Sequence, residues 1–133
     1  LSKGRKGQAT ILIVDDDETI REALGDLLTL NGFSVMTAPN GEEALALLRS
    51  TPTVPCAILL DLLMPVMDGW GFLEQRGADP KLRRIAVGVM SGLASQPSAI
   101  PGVQVMLKKP MELPAVMEFI SDARRRAEAP HDG

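Results

Sequence analysis

The stretch Cys56-Ala57-Ile58-Leu59-Leu60-Asp61-Leu62-Leu63-Met64-Pro65-Val66-Met67-Asp68-Gly69 decides the fold. An unbroken apolar run leads straight into a carboxylate. Such a run reads as a strand buried on both faces, the pattern of a central strand in a parallel sheet. Asp61 at its carboxyl end has no packing role there, because a buried unpaired charge is costly. Ile11-Leu12-Ile13-Val14 repeats the arrangement and ends on Asp15-Asp16-Asp17. Neighbouring parallel strands open their carboxyl ends on one crevice, which is where open α/β sheets bind ligands. Two acidic clusters at that crevice predict converging carboxylates. A hard divalent cation with oxygen ligands, Mg²⁺, makes such a group tolerable.

Outward from these two strands, the chain alternates strand and helix. The first strand is expected over about Ala9 to Val14. Asp17 suits the N-cap of a helix in which Ile20, Leu24, Leu27 and Leu28 recur at helical spacing. Asn31-Gly32 stops that helix. Phe33 and Val35 belong to a short second strand. Asn40 caps a second helix running to Arg49, with Ala44, Leu45, Leu47 and Leu48 on its inner side. A third helix begins at Gly69 and carries Trp70, Phe72 and Leu73, all read as packing residues. Ile85 to Met90 is a fourth strand ending at Ser91. Val103 to Leu107 is a fifth, ending at Lys108-Lys109-Pro110. A last helix, from Glu112 to Ala127, turns Leu113, Val116, Met117 and Ile120 inward.

Between the last two strands, Gly92 to Gly102 contains Pro97 and Pro101, so only a shortened or irregular fourth helix fits. Right-handed crossovers turn this order into an α/β fold, a doubly wound five-stranded parallel sheet. The flavodoxin-like order 2-1-3-4-5 puts the switch point between strands one and three. Residues 9–128 are expected to form one domain between polar tails at 1–8 and 129–133.

Composition narrows the function. The 133 residues are 45% apolar and 23% charged, which suits one globular domain. A net charge of −3, three Phe, one Trp and no Tyr give no basis for direct nucleic-acid binding. No apolar run approaches the roughly 18–20 residues of a membrane span. A single cysteine, Cys56, excludes an internal disulfide and is read as strand packing in a reducing compartment. The only histidine, His131, lies in the polar tail, away from any catalytic or metal-binding pattern.

Four polar features then meet at strand ends: Asp15 and Asp16, Asp61, Ser91 and Lys109. The carboxylates bind a cation. The hydroxyl and the ammonium face a phosphoryl group, and a carboxylate oxygen serves as nucleophile. Together they make a parts list for phosphoryl transfer, which is mostly positioning and charge stabilisation.

The chain resembles the receiver domain of two-component response regulators, the CheY-like fold. The matching stretches are Ile11 to Asp17, Leu59 to Gly69, Val89-Met90-Ser91-Gly92 and Leu107-Lys108-Lys109-Pro110. The resemblance implies that Asp61 accepts a phosphoryl group from a sensor histidine kinase or a phosphotransfer protein and passes the signal to a downstream protein. It implies that Asp16 and Asp61 bind Mg²⁺, that Asp15 acts through a metal-bound water, and that the Leu63 carbonyl is a further ligand. Ser91 would bond a phosphoryl oxygen and Lys109 would pair with it. Such a protein is cytoplasmic, has no membrane or DNA contact of its own, and is no enzyme beyond self-catalysed phosphotransfer and dephosphorylation. One departure stands out. Three residues before Lys109 the family usually carries an aromatic switch, and this chain has Met106.

Two other readings fit part of the pattern. Asp15-Asp16-Asp17-Glu18-Thr19 also matches a haloacid-dehalogenase-like phosphatase, with Asp15 as nucleophile and Asp17 as acid/base. That reading leaves Asp61 and its sequel unexplained. A receiver-like interaction module that is never phosphorylated would explain Met106, but not the full polar set.

Overall fold

The computed structural model describes residues 9–62, 67–91, 103–108 and 112–128, with backbone alone at Ser91, Lys108, Ala127 and Glu128. The elements run β1 (Thr10–Val14), α1 (Glu18–Leu30), β2 (Ser34–Ala38), α2 (Gly41–Ser50), β3 (Ala57–Asp61), α3 (Gly69–Gly77), β4 (Ala86–Ser91), β5 (Val105–Lys108) and α4 (Leu113–Glu128). The strands form one parallel sheet in the order β2-β1-β3-β4-β5. The expected topology is therefore present. The segment expected to hold the irregular helix lies outside the described residues.

Each helix start has a local cause. The Asp17 carboxylate accepts from the Thr19 and Ile20 amides, the Asn40 side chain from the Glu43 amide, and the Asp68 side chain from the Gly71 amide. These bonds satisfy amides that the first helical turn leaves without partners. At the far end of α1, Gly32 takes φ 92°, a backbone conformation that favours glycine.

The sheet separates two cores. On one side Leu12, Val14, Ile58 and Leu60 pack with Ala44, Leu45 and Leu48 of α2 and Phe72 and Leu73 of α3. On the other, Ile11, Ile13, Ala57 and Leu59 pack with Leu24 and Leu28 of α1 and Val116, Phe119, Ile120 and Ala123 of α4. Alternate residues of β1 and β3 thus serve opposite layers, so both strands had to be apolar throughout. All of β3, Asp61 included, is buried.

Several expected faces are shifted. Leu27 points outward, and Leu47 is only partly covered. Trp70 is 45% exposed, so it is not a core residue. Cys56 precedes β3 and is partly exposed, because its amide meets the Thr10 carbonyl just before the strand becomes enclosed. The α4 stripe is centred on Val116, Phe119, Ile120 and Ala123, while Leu113 and Met117 flank it.

A buried cation holds the amino end of β4. Arg76, 4% exposed, donates from Nη2 to the Arg83 carbonyl at 2.8 Å and to the Ile85 carbonyl. Burial lowers its pKa from the ordinary arginine value, yet a guanidinium remains charged at neutral pH. Its position follows from helix periodicity: Phe72 and Arg76 are four residues apart and share the inward face of α3.

Candidate metal centre

Three carboxylates converge at the carboxyl edge of the sheet. Asp15 follows β1 directly, Asp16 is next to it, and Asp61 ends β3, the neighbouring strand. One oxygen from each of the three lies within 4.8 Å of the others. Asp15 is fully buried, Asp61 is 7% exposed, and Asp16 is exposed. Adjacent β1 and β3 place Val14 opposite Leu60, so the residues that follow emerge side by side.

The first acidic loop is held from three directions. The Asp15 amide donates to the Ala38 carbonyl at 3.1 Å. Arg21 reaches back from α1 and donates to the Asp15 carbonyl at 2.7 Å. The Asp17 amide donates to Asp15 Oδ1 at 2.9 Å. The Asp15 backbone is thus held at its amide and its carbonyl, its carboxylate accepts from the Asp17 amide, and Asp16 is left at the solvent side of the group. The Arg21 contact was absent from the sequence reading. Its signal was weak: a cation in the second turn of a helix, six residues from Asp15.

The second loop folds back on its own strand. The Gly69 amide donates to the Leu62 carbonyl at 2.9 Å. A Cβ on Gly69 would stand 2.7 Å from both the Asp61 carbonyl oxygen and Leu62 Cα. Only glycine lets α3 start this close to the strand end that bears Asp61. The Met67 carbonyl also accepts from the Gly41 amide at 2.9 Å, tying the loop to α2. The motif Met67-Asp68-Gly69 therefore supplies a tie, a cap and a close approach in consecutive residues.

The donor set fits a hard cation. It is all carboxylate oxygen, and separations within 4.8 Å are near the roughly 3–4 Å between ligands of one octahedral Mg²⁺. Of the remaining expected residues, Ser91 closes β4 with its backbone paired to Lys108, one position beyond the Asp61–Met90 pair. Its side chain, Leu63 and Lys109 lie outside the described residues. Asp17 stands apart from the three-acid group and is occupied as the cap of α1. The phosphatase reading, which needs Asp17 as acid/base, has no support from this geometry.

Comparison with known proteins agrees with the architecture. The profile of the response regulator receiver domain matches residues 11–121. The response regulator MprA of Mycolicibacterium vanbaalenii is 34% identical over 125 residues, covering 92% of this chain and 53% of MprA. The chain spans between about a quarter and about half the length of the curated relatives it matches. Among solved structures, the signal receiver domain of a signal transduction histidine kinase from Syntrophus aciditrophicus superposes with a TM-score of 0.80 at 27% identity, covering 94% of this chain and 96% of that one. A response regulator receiver domain protein from Clostridium thermocellum gives 0.81 at 26% identity, covering 90% and 97%. With a matching profile over most of its length and the same sheet order, the chain belongs to the response regulator receiver domain family.

Proposed function

We propose that the domain accepts a phosphoryl group on Asp61 from a phosphohistidine of a sensor kinase or phosphotransfer protein, in a reaction that requires Mg²⁺. Receiver domains of response regulators interact with histidine kinases, and the family assignment supports that class of donor here. The observation that carries the proposal is the convergence of Asp15, Asp16 and Asp61 within 4.8 Å. A Mg²⁺ ion held there would neutralise charge on the phosphoryl oxygens.

The chain's own groups do the rest. An Asp61 carboxylate oxygen attacks phosphorus in line with the leaving nitrogen. The P–O bond forms as the P–N bond breaks, and the imidazole nitrogen keeps the electron pair. The Asp17 amide orients the Asp15 carboxylate, and the close turn at Gly69 fixes the backbone that carries Asp61, which favours a preset geometry. In this reading Ser91 donates to a phosphoryl oxygen, Lys109 pairs with another, and the Leu63 carbonyl completes the metal ligands.

Acetyl phosphate is a sufficient donor for the test. With Mg²⁺, the wild-type chain should gain one phosphoryl group by intact mass, and Asp61→Ala or added EDTA should abolish the gain. Labelling that survives Asp61→Ala would refute the assignment. No labelling of the wild type under any phosphodonor would favour the interaction module that is never phosphorylated.

Met106 bears on the output. It is partly buried against the core layer of α2 and α3, and it has no ring to swing on phosphorylation. We expect no symmetric dimer through the segment after β4, β5 and α4. Light scattering with beryllofluoride and Mg²⁺ checks this, and a Mg²⁺-dependent dimer on that face would contradict it.

A further inference from the structure

The edge of the sheet opposite the acidic group carries a second feature. A cleft of about 580 Å³ opens among the residues before β3, the turn before β4, and α4. Its charged lining is cationic: Lys81, Arg84 and Arg126, with no carboxylate among the described residues that form it. None of these three cations is in an ion pair with a described carboxylate, whereas Arg49 and Arg125 pair with Asp79 and Asp122. The protein as a whole carries −3, so this grouping runs against its overall charge.

Helix-end electrostatics explain one of the three cations. Arg126 lies in the last turn of α4, where a cation suits the helix dipole. Lys81 and Arg84 belong to the turn between α3 and β4 and serve no helix end of that kind.

Between the cations the lining is apolar. Val54, 50% exposed, stands over a floor to which buried Ile85 and Ala123 contribute. Gln104 also borders the cleft, where its Oε1 accepts from the Val87 amide at 3.0 Å. Apolar surface inside a polar rim is the anatomy of a protein-contact patch. The cations are all exposed, and water screens an exposed charge too well for it to hold a small anion alone. No aromatic side chain is in the described lining to stack a base.

We propose that this cleft docks an acidic peptide segment of a partner protein, one that alternates carboxylate and aliphatic side chains. The carboxylates pair with Lys81, Arg84 and Arg126 while an aliphatic side chain covers Val54. The site is separate from phosphoryl transfer: β3 spans its five residues between them, roughly 13 Å at the usual strand rise.

The test is fluorescence anisotropy with a labelled Glu-Leu-Glu-Leu-Asp peptide and the full 133-residue chain at low ionic strength. Saturable binding is expected. The double variant Lys81→Glu, Arg84→Glu should weaken it at least about tenfold, as loss of complementary charge predicts. Val54→Ser should weaken it several-fold, and Asp61→Asn should leave it unchanged. Circular dichroism checks folding of each variant, and Lys81→Ala with Arg84→Ala gives a milder pair whose effect must have the same sign. Absence of saturable binding, or indifference to the charge variants, overturns the proposal. So does equally tight binding of hexaglutamate, which would show charge alone, or displacement by inorganic phosphate at equal concentration, which would show a small-anion site.

Discussion

At the carboxyl edge of the sheet, buried Asp15 and Asp61 stand with exposed Asp16 inside 4.8 Å. At the amino edge the buried charge is Arg76, bonded to the carbonyls of Arg83 and Ile85. Both arrangements put ionic groups at strand ends, but the consequences differ. Backbone carbonyls are a fixed, neutral answer to one guanidinium, so Arg76 works as structure. Three like charges repel one another, and a bound cation eases that repulsion. In the proposed function the acidic edge responds to what binds there, while Arg76 is fixed by backbone through Nη2, its buried Nε having no partner among the described residues.

The largest expected stability effect is on the Arg76 side. Arg76→Ala would leave the buried Ile85 carbonyl and the part-buried Arg83 carbonyl without their donor and open a cavity under α3. A loss of about 2–4 kcal/mol is expected, read by urea unfolding with the single tryptophan, Trp70, as the probe. A loss well under 1 kcal/mol would mean the two carbonyls find water, and the contrast between the edges would weaken.

On the responsive side, Mg²⁺ at a hundredfold excess over its dissociation constant should stabilise the wild type by about 2.7 kcal/mol. EDTA should reverse the gain. Asp16→Asn should remove most of it while preserving the metal-free fold, since Asp16 is exposed. Equal stabilisation of wild type and variant would place the ion elsewhere.

The smallest effect joins the two themes. Gly69→Ala pushes a methyl against the Asp61 carbonyl and Leu62. It should cost about 1–3 kcal/mol, the range for overpacking, and should also slow labelling by acetyl phosphate. A stability loss with an unchanged labelling rate would show that the turn serves packing and does not position Asp61.

What could be read from the residues follows from how local each cause is. Strand order, two of the three helix caps and the meeting of Asp15, Asp16 and Asp61 rest on runs of adjacent residues, and these were legible; the Asp68 cap was not read. The N-cap roles of Asp17 and Asn40 were read in advance for the same reason. Arg76 was overlooked because a charged residue in the last turn of a helix usually faces water. Its spacing from Phe72 was the available clue. The close approach at Gly69 and the Arg21 bond to Asp15 depend on three-dimensional folding back of loops, which sequence spacing does not display. Leu27 was assigned to the wrong face because four apolar residues in α1 exceed what its contact with the sheet covers. Cys56 looked like part of its strand, yet it lies just before the buried segment. The basic cleft gathers residues from positions 54 to 126, so no local motif could announce it.

In the proposed function one cation joins the acidic residues that follow β1 to Asp61 at the end of β3. A crystal grown with Mn²⁺ in place of Mg²⁺, and with beryllofluoride, tests it by anomalous diffraction. A single peak is expected within about 2–2.5 Å of carboxylate oxygens of Asp16 and Asp61, and one water away from Asp15. A peak on other residues, or none beside Asp61 in a saturated crystal, would contradict it.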